Sequence, residues 1–478
     1  MSRLLLVSNR LPVSVRPQRG EPRIVPSAGG LATALGAARG DALWIGWPGE
    51  LGRITRRERG ALDSELLEAG LVPVHLSAAE VAQFYDGFSN GVLWPLLHYL
   101  IESVRLDAAE AFRVYRDVNR RFAERAAAAW RPGDVVWVHD YQLALVPSML
   151  RELRPDARIG FFLHVPFPSP EVFETLPWRA PILHGILGAD VIGFHTTGYA
   201  KNFRTTASEV ANARPVAGEN GVLRVNGRIV RVQTHPIGID FAEFERLARS
   251  DEVEAELRRL REQARGRKII LGVDRLDYTK GILRRLLAFD QLLEQEPHWR
   301  DDVMFVQVGV PSREKVEAYA RLRRSVNELV GRINAHHGST MSAPVRFLYR
   351  SLSKAHLIAL YRAADVMLVT PLRDGMNLVS KEYVASRVDD RGALVLSEFA
   401  GAAAELREAF IVNPYDLGAI VTALKKTLTM KGEDQATRMR ALRRRVARGD
   451  VHAWVRRFVR ELEDSRQPDA SDAIDAIA

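Results

Sequence analysis

The chain has 478 residues, of which 47% are hydrophobic and 27% charged, a balance typical of a soluble globular protein long enough for two or three domains. The absence of cysteine excludes disulfides, thiolate catalysis and cysteine-ligated zinc. The net charge of +9 suits anionic substrates. It does not indicate nucleic-acid binding, because the most basic run, 438–448, has no interleaved aromatic residues, and we expect no nucleic-acid partner.

No stretch of the sequence approaches the ~20 apolar residues that a membrane-spanning helix needs. The apolar run 4–7 is too short for the core of a signal peptide, and the polar pair Asn9-Arg10 follows it at once. We therefore expect a cytoplasmic protein that has no membrane partner.

Short apolar runs alternate with helical patterns along the chain, which is typical of parallel sheets covered by helices on both faces. A connection rich in proline and glycine, 235–240, separates these runs into two groups. The predicted strands are Leu4–Ser8, Ala42–Trp47, Leu71–Leu76, Val135–His139, Ile159–His164, Val191–Phe194, Lys268–Val273, Val303–Val308, Val345–Leu348, Val366–Val369 and Gly392–Ser397.

The grouping predicts two doubly wound, Rossmann-like α/β domains, residues 1–238 and 239–455. A C-terminal helix and tail, 456–478, is expected to return to the first domain, and its small, polar end is expected to be disordered. Open α/β sheets bind ligands at the carboxyl ends of their strands, so we expect the active site in a cleft between the two domains.

Glycines and a cation follow the first predicted strand. Arg10 stands at the strand end, and Gly29-Gly30 opens a predicted helix, where paired glycines let a ligand approach the backbone closely. A dinucleotide-binding fingerprint would need a third glycine at this point, and the sequence lacks it. The alternative for Arg10 is an ordinary surface arginine.

The segment 84–95 concentrates aromatic residues, amides and glycines, the side chains that bind sugars, although a loop stapled by aromatic rings would have the same composition. His139-Asp140 and His164 place polar side chains after two further strands, where they are either structural or part of the site. Because no His-x-x-His or His-Glu-x-x-His spacing occurs, we expect no protein-held metal.

The segment 275–281, Arg-Leu-Asp-Tyr-Thr-Lys-Gly, lies between a buried strand and a helix that begins near Ile282. The amides and positive dipole end of a helix start attract anions. Arg275 adds a planar fork of donors and Lys280 a point charge. This combination predicts a diphosphate site.

A second strand-turn-helix segment, 370–382, carries Asp374 and Glu382 eight residues apart. A basic diphosphate site accompanied by two acids indicates a nucleotide-sugar site. The turn 308–314 places Arg313 at another predicted helix start and is suited to a second anion.

Together these motifs resemble the trehalose-6-phosphate synthases, glycosyltransferase family 20. They occur in family order and cover nearly the whole chain, and DRLDYTKG and GMNLVSKE are the most specific of them. The matching segments are SNRLP (8–12), SAGGL (27–31), GWPGE (46–50), FYDGFSNGVLWPLLHY (84–99), VHDYQL (138–143), FLHVPFPSPEVF (162–173), DVIGFHT (190–196), GVDRLDYTKG (272–281), VPSRE (310–314), TPLRDGMNLVSKEYVA (370–385) and LSEFAGAAAEL (396–406).

The resemblance implies a GT-B fold and a retaining glucosyltransferase of trehalose biosynthesis and osmoprotection. The reaction it implies moves glucose from UDP-glucose to glucose 6-phosphate, which gives α,α-trehalose 6-phosphate and UDP. No metal cofactor is expected, because Arg275, Lys280 and helix-start amides would stabilise the leaving diphosphate electrostatically.

The resemblance also implies roles for individual residues. The implied catalytic residues are Arg275, Lys280, His164 and Asp374. The implied donor-binding residues are Gly29, Gly30, Arg275, Lys280, Leu352, Asp374, Gly375, Met376, Asn377, Leu378, Val379, Ser380, Lys381 and Glu382. The implied acceptor-binding residues are Arg10, Trp47, Tyr85, Trp94, Asp140 and Arg313, with Arg10 and Arg313 on the phosphate of glucose 6-phosphate.

Several alternatives stay open at this stage. Retention is compatible with a carboxylate nucleophile, although the resemblance points to front-face attack. The segment 347–353 lacks the bulkier aromatic residue that the family usually has near Leu352, so GDP-glucose and ADP-glucose remain alternative donors. Glucosylglycerol-phosphate synthases, pseudo-glycosyltransferases and non-catalytic regulatory paralogues are the alternative functions. A homo-oligomer is expected, either a dimer or a tetramer.

Overall fold

The computed structural model describes residues 3–16, 23–26, 42–51, 54–312, 317–340 and 342–465. The chain divides into two compact units, one formed by residues 1–236 with 452–478 and the other by residues 237–451. Within the described ranges, no helix combines the length and the hydrophobicity that crossing a bilayer requires.

The first unit contains a large, mainly parallel sheet and a separate hairpin. Its strands are β1 (Leu4–Arg10), β2 (Val13–Arg16), β3 (Arg23–Pro26), β4 (Leu43–Trp47), β5 (Leu71–Pro73), β6 (Val135–His139), β7 (Arg158–Phe162), β8 (Val191–Phe194), β9 (Arg214–Pro215), β10 (Val222–Val225) and β11 (Arg228–Thr234). In the described part of this unit, nine strands form one sheet in the order β5-β4-β1-β6-β7-β8-β11-β10-β9, and β2 pairs with β3. The pairs from β5 to β11 are parallel, and β10 and β9 extend the sheet antiparallel.

Helices connect these strands, as parallel pairing requires. The helices of the first unit are Arg56–Glu68, Ala78–Glu80, Val81–Leu93, Trp94–Leu97, Ala109–Ala129, Val146–Leu153, Pro170–Phe173, Arg179–Ile186, Thr197–Ala211 and Val451–Asp464, with 3₁₀ turns at Ile101–Ser103 and Tyr141–Leu143.

The C-terminal helix Val451–Asp464 packs on the sheet of the first unit. The ring of Phe458 stacks on Trp137 of β6, with 4.3 Å between their centroids. Gly160 and Gly193, on β7 and β8, allow this approach, because a Cβ atom at either position would lie under 3 Å from the Phe458 ring. The helix therefore covers the middle of the sheet.

The second unit is a smaller doubly wound sheet. Its strands are β12 (Lys268–Arg275), β13 (Val303–Val310), β14 (Val345–Leu348), β15 (Val366–Val369), β16 (Ala393–Ser397) and β17 (Phe410–Val412). All six described strands are parallel, in the order β14-β13-β12-β15-β16-β17. Its helices are Phe241–Ala248, Asp251–Ala264, Ile282–Gln295, Trp299–Asp302, Glu317–His337, Lys354–Ala363, Leu378–Ser386, Leu417–Leu428 and Gly432–Arg448, with 3₁₀ turns at Tyr278–Lys280 and Gly401–Ala404.

The strand order of this second sheet reverses between β12 and β15. The chain leaves β12 toward β13 on one side, whereas β15 pairs with β12 on the other side. Ligands of open α/β sheets bind beside the carboxyl ends of strands at such a switch point. The two segments that the sequence indicated for a nucleotide sugar follow these two strands.

The predicted parallel strands are confirmed, with boundaries that differ by up to three residues. The sequence prediction missed β2, β3, β9, β10, β11 and β17. β9 is exposed, β10 and β11 interrupt their buried residues with exposed or partly exposed ones, and β17 is only three residues long. None of these four strands therefore gives the continuous apolar run of a fully buried strand.

Candidate active site

The turn after β12 is held rigidly by Asp277. This buried carboxylate accepts hydrogen bonds from the backbone N–H of Thr279 at 3.0 Å and from its hydroxyl at 2.9 Å. The hydroxyl of Tyr319 donates to the second oxygen of Asp277 at 2.9 Å. These bonds fix the 3₁₀ turn that presents Lys280, five residues after the exposed Arg275 at the end of β12.

Gly281 joins this turn to the helix Ile282–Gln295. It has φ +68°, and a Cβ atom there would clash with the carbonyl oxygen of Thr370. A glycine is therefore required both by the backbone conformation and by the close approach of the chain that follows β15. The segments 275–281 and 370–382 therefore meet at Gly281.

A buried arginine, Arg285, ties the same two segments together. Its side chain is fully buried and donates from Nη1 to Asp274 Oδ2 at 2.6 Å and from Nη2 to the carbonyl oxygen of Lys280 at 3.0 Å. It also donates from Nε to Thr370 Oγ1 at 3.2 Å and from Nη1 to Gln307 Oε1 at 3.1 Å. The guanidinium thus fixes the backbone of Lys280 from behind.

Burial raises the pKa of Asp274, against the opposing effects of Arg285 and Lys280. We take Asp274 as ionised, because its 2.6 Å contact with an always-charged guanidinium favours the carboxylate. Sequence reasoning missed Arg285. The available signal was Asp274 itself, since an acid near the end of a buried strand requires a buried cation.

Lys280 and Asp374 form an ion pair between the two segments. Lys280 Nζ lies 2.6 Å from Asp374 Oδ2, and the two side chains are 11% and 13% exposed. Asn377 Nδ2 donates to the same carboxylate oxygen at 3.1 Å. The backbone N–H of Asp374 donates to the carbonyl of Phe399 at 3.1 Å, so the acid is fixed at both its side chain and its backbone.

The helix Leu378–Ser386 begins four residues after this acid. Asn377 is its N-cap in the left-handed region, φ 76°, and its Oδ1 accepts from the N–H of Ser380 at 3.0 Å. The first amides of a helix have no acceptor within the helix, so those of Leu378 and Val379 face outward with the positive end of the dipole. The left-handed backbone at a non-glycine residue is the kind of strain found at functional sites.

The remaining donor-site candidates differ in exposure. Met376 and Lys381 are buried, and Lys381 Nζ contacts Glu405 Oε2 at 2.6 Å and the carbonyl of Ile237 at 2.7 Å. Burial lowers the pKa of Lys381. The ammonium of Lys381 therefore forms contacts inside the second unit.

Glu382 is partly exposed and accepts a hydrogen bond from the hydroxyl of Tyr361 at 2.9 Å. Burial raises the pKa of this carboxyl group. Leu352 is also partly exposed and lies just before Ser353, the N-cap of the helix Lys354–Ala363. Gly375 is buried, and its carbonyl lies against Gly401, where a Cβ atom would clash with it.

In the first unit, four predicted site residues lie at the carboxyl edge of four adjacent strands, β4, β1, β6 and β7. Trp47 ends β4 and is paired in register with Arg10, which ends β1. Asp140 follows β6, and His164 follows β7 by two residues. The parallel pairing explains why residues so far apart in sequence meet at one edge.

Arg10 lies over two aromatic rings. Its guanidinium carbon is 4.3 Å from the ring centroid of Trp47 and 5.9 Å from that of Tyr85. Trp47 is 1% exposed, and within the described residues its indole Nε1 is buried without a hydrogen-bond partner. A cation held over aromatic faces keeps its charge available for an anion.

The segment 84–95 is helical, so the alternative of a loop stapled by aromatic rings is wrong. It lies in a wide π-helical segment, Val81–Leu93, which continues directly into the short helix Trp94–Leu97. Phe84 and Phe88 are buried against Tyr115, so these two aromatic residues belong to the core. Segments of π-helix are frequent at functional sites.

Trp94 is 4% exposed and its ring lies 5.8 Å from that of Tyr141. Tyr141 in turn donates a hydrogen bond to Asn90 Oδ1 at 2.9 Å. These contacts anchor the helical segment against the turn that follows Asp140.

Two histidines in contact lie at the ends of β6 and β7, of which His139 is buried and His164 is partly exposed. His139 Nδ1 and His164 Nε2 are 3.1 Å apart, and the rings of His164 and His195 lie 5.4 Å apart. Burial, followed by the neighbouring His164, holds the pKa of His139 well below its ordinary value. Burial and His195 do the same for the pKa of His164. Both imidazoles are therefore neutral, and one donates a hydrogen bond to the other.

Asp140, a predicted acceptor residue, is hydrogen-bonded to the backbone of His164. It has φ 72°, and its Oδ1 accepts a hydrogen bond from the backbone N–H of His164 at 3.2 Å. The strain at a non-glycine residue and the bond to a neighbouring strand end fix this carboxylate in position.

Three predicted site residues, Gly29, Gly30 and Arg313, lie outside the described residues. In the described ranges, the group with the spacing of metal ligands is Glu294, His336 and His337. His337 is paired with Asp290 at 2.8 Å, and this group does not include the residues at the ends of β12 and β15.

Known proteins are similar to this chain over nearly its whole length. The model of glycosyltransferase family 20 matches residues 2–464. A trehalose-6-phosphate synthase from Mycobacterium avium is 47% identical over 474 residues, which is 97% of this chain and 96% of the relative.

Solved structures are similar over the same extent. A UDP-forming α,α-trehalose-phosphate synthase from Burkholderia xenovorans in complex with glucose-6-phosphate matches with a TM-score of 0.86 and 34% identity, covering 97% of this chain and 100% of that chain. A structure from E. coli bound with UDP-2-fluoro glucose matches with a TM-score of 0.87 and 33% identity, covering 98% and 100%. The predicted α/β, GT-B fold is confirmed.

Proposed function

The chain belongs to glycosyltransferase family 20, and we propose from this membership and from the two strand-edge clusters that it transfers glucose from UDP-glucose to glucose 6-phosphate. The products are α,α-trehalose 6-phosphate and UDP, as in trehalose biosynthesis. The relatives support both substrates, since one structure holds glucose-6-phosphate and another UDP-2-fluoro glucose.

The observation that carries the donor assignment is the contact between Lys280 and Asp374 at 2.6 Å. In a nucleotide sugar the anomeric C–O bond joins an anionic diphosphate to a neutral sugar. A cation and an acid in contact suit that junction, because the ammonium attracts the phosphate and the carboxylate accepts from sugar hydroxyls. The amides of Leu378 and Val379 and the exposed Arg275 add positive charge on the phosphate side.

Charge development explains the catalysis. As the bond between C1 and the β-phosphate oxygen breaks, negative charge grows on the diphosphate and positive character on the sugar. Lys280, Arg275 and the helix start stabilise the first change, which is the largest kind of catalytic contribution. Arg285 serves as a positioning residue, since it holds the backbone of Lys280 in place.

The acceptor is held by the first unit. Arg10, kept over Trp47 and Tyr85, binds the phosphate of glucose 6-phosphate, and Asp140 accepts from its hydroxyls. His164 has a different role: as a neutral imidazole it contacts a hydroxyl of the donor glucose without adding charge. Gly29, Gly30 and Arg313 keep the roles that the family resemblance implies.

We propose that transfer retains the anomeric configuration by front-face attack. The acceptor hydroxyl forms the new bond to C1, and its proton passes to the leaving phosphate oxygen. Asp374 accepts hydrogen bonds from both Lys280 and Asn377. These contacts support a role for this carboxylate in substrate binding and not as a nucleophile. A metal-free reaction, a cytoplasmic location, a role in osmoprotection and a homo-oligomeric state remain parts of the proposal.

A substrate panel tests this function. UDP-glucose, GDP-glucose and ADP-glucose would each be incubated with glucose 6-phosphate or glycerol 3-phosphate, and the products identified by mass spectrometry. We expect the fastest turnover with UDP-glucose and glucose 6-phosphate. A preference for glycerol 3-phosphate would identify a glucosylglycerol-phosphate synthase, and no turnover with any pair would indicate a regulatory paralogue.

A further inference from the structure

A polar cavity of about 460 Å³ lies in the second unit, apart from the residues described above. Its lining includes Gln263, Arg265, Arg267, Asp301, Ser342 and Arg346. Gln263 and Arg265 lie at the end of the helix Asp251–Ala264, Arg267 and Asp301 lie just before β12 and β13, Ser342 precedes β14, and Arg346 lies within β14. We call this cavity the arginine pocket.

The arginine pocket lies at the amino edge of the sheet. Arg267 immediately precedes β12, whereas Arg275 ends the same strand at the carboxyl edge. At about 3.3 Å per residue, the length of β12 separates the two arginines by roughly 25 Å. One small ligand therefore does not reach both, and the arginine pocket is distinct from the donor site.

Three positive charges meet in this pocket with little compensation. Burial lowers the pKa of Arg267, and the neighbouring charges of Arg346 and Arg265 lower it further. In the described part of the chain, no carboxylate forms an ion pair with any of the three arginines, and Asp301 is the acid in the lining. Like charges gathered in a concave site attract an anion.

A structural role accounts for part of this cluster. Arg267 Nε donates to the carbonyl of Ala264 at 3.2 Å, which caps the helix Asp251–Ala264, and its Nη1 donates to Ser342 Oγ at 2.8 Å. Neither bond explains why Arg265 and Arg346 converge on the same cavity from separate elements. The bonds instead hold the Arg267 guanidinium in one orientation.

A smaller cavity of about 160 Å³ adjoins the arginine pocket and shares Gln263 and Arg346 with it. Its lining is largely apolar and includes Leu260, Met304 and Leu348. An occupant suited to both cavities combines an anionic group with a carbon body. The larger cavity alone is in the size range of small-molecule sites.

We propose that the arginine pocket binds a small molecule through a phosphate or diphosphate group. Arginine guanidinium groups recognise phosphate oxygens by paired, charge-assisted hydrogen bonds. This site is additional to the two substrate sites of the proposed reaction.

Inorganic pyrophosphate is the probe for this proposal. Calorimetric titrations would use the full chain saturated with UDP and glucose 6-phosphate, so that both substrate sites are occupied. Arg265→Asn/Arg346→Gln removes two charges from the pocket, and asparagine suits the left-handed conformation of Arg265, φ 52°. Arg258→Gln/Arg324→Gln removes two exposed charges outside both cavities and is the matched control.

We expect the pocket variant to bind pyrophosphate at least about tenfold more weakly than the wild type, and the control variant to bind within about twofold of it. The proposal is overturned if the saturated wild type shows no pyrophosphate binding. It is also overturned if both variants lose affinity equally, because the effect would then be one of general surface charge. A wild type that bound neither UDP nor glucose 6-phosphate would contradict the proposed function instead, and comparing the two variants would still test the pocket.

Discussion

Replacing Arg285 by methionine should destabilise the second unit and impair use of the donor. Methionine keeps much of the apolar bulk but leaves Asp274, 3% exposed at its side chain, without its cation. It also removes the donors to the Lys280 carbonyl, to Thr370 and to Gln307. The substitution therefore perturbs both the buried network and the position of Lys280.

The expected magnitude follows from the burial of both partners. Removing one partner of a buried ion pair costs about 3–5 kcal/mol, because the remaining charge is left uncompensated. For a domain of 150–250 residues, each kcal/mol lowers the melting temperature by about 2–4 °C, so the loss should be about 6–20 °C. The double variant Asp274→Asn/Arg285→Met removes the charge as well and should recover part of this loss.

Thermal unfolding and steady-state kinetics together check this prediction. We expect Arg285→Met to lower kcat and raise KM for UDP-glucose while KM for glucose 6-phosphate stays within about twofold. Arg285→Lys should restore more stability than activity, since an ammonium pairs with Asp274 but does not reach all four acceptors. A melting-temperature change below about 2 °C, or equal changes in both KM values, would refute the reasoning.

Lys280→Ala should lower kcat more than it weakens UDP binding, because the phosphate charge that Lys280 faces grows as the glycosidic bond breaks. Steady-state kinetics measure the first effect and calorimetry the second, and equal losses in the two would contradict this prediction. Arg10→Ala should weaken glucose 6-phosphate binding by roughly 1.5–3 kcal/mol, about ten- to a hundredfold or more, with UDP affinity unchanged in the same titrations. Acidification from pH 7.5 to 5.5 should destabilise the first unit, because His139 and His164 stay neutral when folded but bind protons below pH 6.5 when unfolded. Each protonation should cost on the order of 1 kcal/mol of stability at pH 5.5, and His139→Gln should show a smaller pH dependence than the wild type in thermal unfolding.

The parallel strands and the residues at their carboxyl ends could be predicted from the sequence. A strand buried on both faces is a continuous apolar run, and the polar residue that follows it stands out, as Asp140 does after β6. Because parallel strands end at one edge, predicting the strands also placed Arg10, Trp47 and His164 near one another.

Features that depend on tertiary packing could not be predicted. Asp274 indicates that a cation is buried nearby but does not identify it, because Arg285 belongs to a helix with an ordinary amphipathic pattern and its complete burial depends on the approach of β13 and β15. The π-helical geometry of Val81–Leu93 depends on how its aromatic residues pack against Tyr115. The contact of His139 with His164 requires the register between β6 and β7, which local sequence does not specify.

Real-time NMR of the chelator-treated protein with UDP-glucose and glucose 6-phosphate tests the central claim most directly. We expect UDP and α,α-trehalose 6-phosphate to appear in equal amounts without added metal, and Lys280→Ala to slow the formation of both equally. Consumption of UDP-glucose without transfer to glucose 6-phosphate, or a product with the inverted configuration at the transferred carbon, would contradict it.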